Sequence, residues 1–311
     1  MLRLSIVIPV GPGDDRLLAD LLASLRRQTM PRTDYEILCI REGNSEEAKA
    51  IGIHQSRGAI IGLFCTDNIL VEPDFLEVMT HAASQAGVVG AYTARYAYVK
   101  EDTALSRYFA LLGANDSLVW WLGKSDRQDA LQPAHQDVGQ RTFTDPLPSL
   151  GDNGCFYKGP LLRDILPTPE TFGSCMCLCE DLRRQGHATW NIISSHAIWH
   201  RSGASFLTYV KKRWRYVNTL YWQRLPIRRW RPVSTLSDWI AVGLFAAASS
   251  VVVPHLFLSL RGYRRKPDAA WFLHPFVCGC LTWLYTWALL RYVWSSARST
   301  VLRNWHNVWS R

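Results

Sequence analysis

The chain begins with apolar runs that alternate with helically spaced leucines. Residues 4–10, LSIVIPV, form an apolar run stopped by Gly11-Pro12-Gly13, the pattern of a buried strand entering a loop. Leu17, Leu18, Leu21, Leu22 and Leu25 then recur at helical spacing, with Asp14 or Asp15 placed to cap that helix. The alternation continues: a strand over 35–40, a helix over 46–56, a strand over 59–65 ending at Thr66-Asp67-Asn68, a helix over 73–86 and a strand over 88–99. Residues 102–145 show no clear period. Beyond them, 150–158 reads as strand or loop, 180–185 as the start of a helix, and 188–193 as a strand. This pattern predicts an α/β fold with a mainly parallel sheet and helices on both faces. Such sheets bind ligands at the carboxyl ends of their strands. The loops at Gly11, Arg41–Asn44 and Thr66–Asn68 begin there.

After Arg231 the pattern changes. Residues 239–260 and 271–290 are apolar, and their only ionisable groups besides thiol and phenol are His255 and His274. Each segment is about 20 residues, the length that crosses ~30 Å of hydrocarbon as a helix. Trp239, Trp271, Tyr292 and Trp294 lie near the ends, as an interfacial aromatic belt would. A C-terminal transmembrane helical hairpin is therefore predicted. Pro254 and Pro275 also admit a re-entrant path. That path would keep the basic residues Arg261, Arg264, Arg265 and Lys266 on the same side as Arg228, Arg229 and Arg231. A spanning hairpin places them on the far side, against the positive-inside tendency. The expected division is 1–218 for a catalytic domain, 219–236 for a basic juxtamembrane segment, and 237–311 for the two apolar helices and tail.

Composition narrows the partners. The chain has 311 residues, 48% hydrophobic, with formal net charge +9, enough for one large core and a smaller unit. Lys211–Arg231 is rich in Lys and Arg and holds no acidic residue. Such a stretch suits nucleic acid or anionic lipid. Because it runs straight into apolar segments, membrane lipid is the expected partner and nucleic acid is not. The N-terminal run has no signal-peptide cleavage site, which predicts a catalytic domain in the cytosol. The eight cysteines are then expected as thiols. Cys175, Cys177 and Cys179 alternate like one face of a strand, without the CxxC pairs of a zinc site. Cys278 and Cys280, inside an apolar segment, read as packing residues.

Several motifs follow one another in order: SIVIPV, the 35–45 strand and loop, CTDN before LVEPDFL, GDNGCFYKG, Glu180-Asp181 in CEDLRRQGH, and His200 followed by KKRWR. Together they resemble glycosyltransferase family two, enzymes of the GT-A fold, over residues 4–218. The trailing apolar segments resemble the members with lipid acceptors. The resemblance implies inverting transfer of a sugar from a nucleotide-sugar donor to a hydroxyl of a lipid-linked acceptor at the cytosolic membrane face, with Mg²⁺ or Mn²⁺. It implies that Pro9, Val10, Glu42, Asp67, Lys212 and Arg213 meet the donor nucleotide, and that Gly151, Asp152 and Asn153 lie near donor sugar and acceptor. Asp67, Asn68 and His200, with His196 as an alternative to His200, would hold the metal. Asp181, beside Glu180, would be the general base.

The chemistry suits these residue types. A cation neutralises charge growing on a diphosphate leaving group. A carboxylate removes the acceptor proton, and a neighbouring acid raises its pKa. The chain departs from the family at two places. The D-x-D turn reads Thr66, Asp67, Asn68, with one carboxylate, and Arg41 replaces the first acid before Glu42. Asp67 is then a metal ligand or a turn cap. Glu42 is a base or ribose acceptor or a plain surface acid. The Lys211–Arg215 cluster holds diphosphate or anionic headgroups. A polyprenyl-phosphate sugar synthase, whose phosphate acceptor needs no base, is the rival enzyme reading. A non-catalytic membrane scaffold is the rival outside enzymes.

Overall fold

The computed structural model describes residues 2–132, 139–144, 147–166, 168–201 and 205–309. Its strands are β1 (Leu4–Pro9), β2 (Tyr35–Ile40), β3 (Ile60–Leu63), β4 (Asn68–Leu70), β5 (Gly90–Thr93), β6 (Gly139–Thr142), β7 (Cys155–Lys158), β8 (Thr189–Ile193) and β9 (Ile198–His200). Its helices are α1 (Asp15–Arg26), α2 (Ser45–Gln55), α3 (Phe75–Ser84), α4 (Ala104–Leu112), α5 (Ser117–Trp121), α6 (Gly159–Ile165), α7 (Cys175–Arg184), α8 (Phe206–Arg215), α9 (Leu236–Val251), α10 (Val253–Arg265) and α11 (His274–Trp309).

Seven strands form one sheet in the order β2-β1-β3-β7-β5-β8-β6. β1 pairs in parallel with β2 and β3, and β5 with β8, while β7 and β6 run against their neighbours. The result is a mixed, mostly parallel sheet. All six residues of β1 are buried, which is why the strand is a continuous apolar run rather than an alternating one. α2 starts at Ser45 because Asn44 accepts from the amides of Glu46 and Glu47 and Glu47 reaches back to Asn44, a complete capping box.

A second sheet pairs β4 with β9, and its register sets Asn68 opposite His200. That pairing carries a distant histidine to the turn after β3.

Two predicted elements differ. The Cys175–Cys179 run is helical, because the Ser174 side chain accepts from the Cys177 amide and caps a helix whose Cys175, Leu178, Cys179 and Leu182 face the core. Glu180 and Asp181 therefore sit in the second turn of α7, not at a helix start. The second difference is in the first apolar segment. It is broken at Val252, which has φ 68°, and α9 and α10 meet at 89°. Pro254 lies in the first turn of α10, where it cannot continue the preceding helix. Among the described residues, one helix, Ala269–Ser295, is long and apolar enough to cross a membrane.

The C-terminal helices do not stand apart from the rest of the chain. Leu105, Tyr108 and Phe109 of α4 share a buried cluster with Trp271, Val277 and Leu281. The outward faces remain apolar, with Trp239, Leu244, Phe257, Phe276, Trp283 and Trp294 exposed.

Candidate active site

The turn after β3 builds the first half of the site. The Asn68 amide reaches the Cys65 carbonyl (3.1 Å), and the Cys65 amide reaches Asn68 Oδ1 (2.9 Å). The Arg201 amide donates to the Asp67 carbonyl (2.9 Å), tying the turn to β9. This leaves the Asp67 side chain buried, with Oδ1 3.4 Å from His200 Nε2 and Oδ2 3.2 Å from Lys212 Nζ. Burial by itself would raise the Asp67 pKa. The charges of Lys212 and His200 outweigh it and hold the carboxyl well below the usual range. Asn115 Nδ2 lies 3.3 Å from His200 Nδ1, and the Tyr96 ring is 5.1 Å from the imidazole.

Gly151–Asn153 supply the second half. A side chain on Gly151, at φ 152°, would meet the Cys175 backbone at 2.6 Å, so only glycine lets this loop touch the start of α7. Asn153 takes a left-handed φ of 54° and joins both halves. Its Oδ1 accepts from Asn68 Nδ2 (3.2 Å), its Nδ2 donates to the Tyr96 hydroxyl (3.2 Å), and its carbonyl accepts from Arg127 Nη2 (2.9 Å). Asp152 accepts from Lys49 Nζ at 2.8 Å, and Lys49 also donates to Glu46 at 3.0 Å. Lys49 is 2% exposed. Burial favours the neutral amine, but Asp152 and Glu46 hold it charged. Burial likewise opposes ionisation of Asp152, and Lys49 overcomes this to lower its pKa.

Lys49→Met should therefore cost about 3 kcal/mol at neutral pH, because it strands the buried Glu46 and the part-buried Asp152 carboxylates. In the native protein the Asp152 pKa is depressed, so the pair's contribution is complete above the unfolded value of about 3.9 and fades as pH falls through the folded value. The mutant's deficit should be large at pH 7 and shrink in acid. Thermal melts of both proteins across pH check this, and a pH-independent deficit rules out a charge-pair origin.

Next to this cluster lies a carboxylate that sequence reading passes over. Asp126 accepts from the Tyr96 hydroxyl and lies 3.5 Å from Arg127 Nη1, and burial raises its pKa against the pull of Arg127. It borders a cavity of about 490 Å³ whose walls include Trp120, Trp121, Phe143, Arg141 and Leu258 of α10.

The structure thus brings together Asp67, His200, Lys212 and Gly151–Asn153. Pro9 ends β1, which pairs with the β3 strand that leads into the Asp67 turn, Val10 follows with its amide bonding to the Ile40 carbonyl (2.8 Å), and Glu42 is exposed in the loop after β2. His196 is not part of the cluster. It bonds Asp74 (2.9 Å) and Ser195 (2.8 Å), so His200 is the histidine at the site.

Four of the expected site residues have partners that bear on their roles. Asn68 spends its carbonyl oxygen on the Cys65 amide and is fully buried, so it shapes the turn rather than offering a metal ligand. Arg213 turns away from Asp67 to the Asn115 carbonyl (2.6 Å) and Asp116 (3.4 Å), where it positions the Asn115 that touches His200. Glu180 is held by Arg183 and Arg184 at 2.8 and 2.7 Å, and Asp181 accepts from Arg229 Nε at 2.7 Å. Burial raises the Asp181 carboxyl, Arg229 lowers it, and Glu180 adds a smaller upward push. The end of α7 that meets Gly151 carries Ser174 and Cys175, and the helix rises about 9 Å from there to Asp181. No hydrogen bond or ion pair among the described residues joins Glu180 or Asp181 to the Asp67 cluster.

Lys49 was detectable as a lone lysine among the alanines of α2. Asn115, Asp126 and Arg127 come from aperiodic sequence without a signal, and Tyr96 lies in the stretch predicted as the strand over 88–99. The donor set fits a divalent ion: Asp67 Oδ1 and His200 Nε2 lie side by side, a mixed oxygen–nitrogen pair. Lys212 shares the carboxylate and supplies a fixed positive charge of its own.

No protein-family model matches the chain, and no curated protein matches it in sequence. Among solved structures it is similar to the mannosyltransferase PcManGT from Pyrobaculum calidifontis in complex with GDP-Man and Mn²⁺. That match has 13% identity and TM-score 0.50 over 94% of this chain and 87% of that one. It is also similar to S. aureus TarS 1–349 in complex with UDP, at 9% identity and TM-score 0.43, over 91% of this chain and 89% of that one. For TarS 1–349 with UDP-GlcNAc the values are 14%, 0.44, 89% and 90%. The likeness to the mannosyltransferase is one of fold: a mixed α/β chain around a mostly parallel sheet.

Proposed function

We propose that this chain is a glycosyltransferase that moves a sugar from a nucleotide-sugar donor to an acceptor presented at a membrane. The observation that carries the reading is the buried Asp67, set between His200 and Lys212 just beyond the carboxyl end of β3. A parallel sheet binds its ligand at that edge. A donor seated there would rest its nucleotide near Pro9 and Val10, with Glu42 in reach of base or ribose, and direct its diphosphate at Lys212. A divalent cation, when bound by Asp67 and His200, neutralises the leaving diphosphate. Asn115 can present either amide end to His200 Nδ1, so either tautomer of the imidazole is admitted, with Nε2 beside the Asp67 carboxylate. The test is nucleotide release by the detergent-solubilised full chain from a panel of nucleotide-sugars with Mg²⁺ or Mn²⁺. No release and no donor binding across the panel overturns the reading in favour of a scaffold.

The acceptor side is proposed to face the apolar helices. The cavity beside Asp126 is walled by Trp120, Trp121 and Leu258, which suits the apolar part of a lipid-linked acceptor, while Arg141 suits a phosphate. For a hydroxyl acceptor, Asp126 is the better base. It touches the site's network through Tyr96, whereas Asp181 accepts from Arg229 outside that network; burial raises the pKa of both carboxyls, so position and not pKa separates them. The phosphate-acceptor reading is favoured by one observation, the absence of Asp181 from the cluster, and is separated from the first by the Asp126 variant argued below.

Membrane attachment rests on the exposed apolar side chains of α9–α11 and the basic stretch before them. The full chain should stay with membranes through high salt and leave only with detergent. Release by salt alone would leave the screened charge attraction as the whole anchor.

A further inference from the structure

We propose that the chain holds a second metal site, of the zinc class, where the apolar C-terminal helices meet the catalytic part. Its ligands are His255, His274 and Cys278. The inference is independent of glycosyl transfer.

His255 comes from α10, and His274 and Cys278 lie one helical turn apart on α11. All three are buried, at 0%, 1% and 0% exposure, and one ligand atom from each lies within 4.8 Å of the others. Cys278 Sγ is 3.7 Å from His274 Nε2. A tetrahedral zinc ion spaces its sulfur and nitrogen ligands by about 3.5 Å.

The hydrogen bonds assign the free nitrogens. Ser249 Oγ donates its one proton to the Phe245 carbonyl (2.8 Å), so its 3.1 Å bond to His255 Nε2 must come from an Nε2–H. A neutral His255 then carries its lone pair on Nδ1. That atom is buried without a hydrogen-bond partner among the described residues. A buried acceptor left unpaired destabilises the fold, and a cation removes the deficit. On His274, Nδ1 is held by the Tyr108 hydroxyl at 2.6 Å, which leaves Nε2 for a ligand. Each imidazole is thus oriented by a hydroxyl on one nitrogen and offers the other, as outer-shell partners do for metal-bound histidines. Two imidazoles and a thiolate select a borderline-soft ion such as Zn²⁺ over Mg²⁺. Binding releases the Cys278 thiol proton to solvent. Tyr108 belongs to α4, so the ion fixes the bent α9–α10 pair and α11 against the catalytic part.

The test titrates metal-stripped full-length protein in detergent with Co²⁺ alone. The expected result is thiolate-to-cobalt charge-transfer absorption at one equivalent, displaced by Zn²⁺ but not by Mg²⁺. Cys278→Ser should abolish it, and Cys39→Ser, an exposed thiol on β2, should leave it. Absence of the band in the wild type, or its survival in Cys278→Ser, overturns the site. Should Cys278→Ser fail to fold, His255→Gln carries the comparison: the wild-type cobalt affinity must fall at least tenfold, and an unchanged affinity overturns the assignment.

Discussion

Asp67→Asn is expected to lower turnover on the order of 10²–10³-fold, the scale set by removing one charge-stabilising group from a transfer site. Its oxygen beside His200 is half of the proposed divalent pair, and its charge holds Lys212 in place. Asparagine keeps the shape but carries no charge. The turn should survive, because its closing bonds run through Cys65, the Asn68 side chain and the Arg201 amide rather than through the Asp67 carboxylate. Lys212, 62% exposed along its side chain, remains solvated after the change. Donor binding should weaken together with turnover, and the melting temperature should fall as well, because the ionised carboxylate is stabilised in the fold by Lys212 and His200. Paired measurements of nucleotide-sugar affinity, turnover and melting settle the point. Wild-type donor affinity in Asp67→Asn removes Asp67 from the donor site. Wild-type turnover that persists in excess chelator removes the metal and leaves Lys212 as the charge on the leaving group.

The second large effect separates the acceptor chemistries. Asp126→Asn should cut transfer by ~10²–10⁴-fold if the acceptor is a hydroxyl, the usual contribution of a general base, with donor affinity held within a few-fold. Asp181→Asn should retain more than about a tenth of turnover and instead lower stability, since Asp181 bonds Arg229 and Arg229 also reaches the Thr171 and Phe172 carbonyls. Both variants are measured against the wild type in one detergent. If both keep near-wild-type turnover, the acceptor is a phosphate that needs no base. If Asp181→Asn alone collapses with donor affinity intact, Arg229 releases Asp181 during turnover and Asp181 is the base.

The pattern along the chain determined the alternation of strands and helices, the buried first strand, the turn that carries Asp67, and the two apolar segments near the C-terminus. These are set by side-chain period and by local turn residues, interactions within a few positions of one another. Tertiary structure decided the rest. The run Cys175–Cys179 alternates like a strand, yet the Ser174 cap and a core waiting for Cys175, Cys179 and Leu182 make it helix, and this moves Glu180 and Asp181 away from the site. Whether an acid is a base or an ion-pair partner depends on what stands opposite it. Arg229 faces Asp181, Lys49 faces Asp152, and Tyr96 faces Asp126, all partners far away in sequence. Choosing His200 over His196 likewise rested on the pairing of β9 with β4, a register that no local period encodes. The 89° bend at Val252 is legible only in part from Pro254. Proline forbids the straight continuation, but the direction of the turned chain comes from packing on the helices it meets.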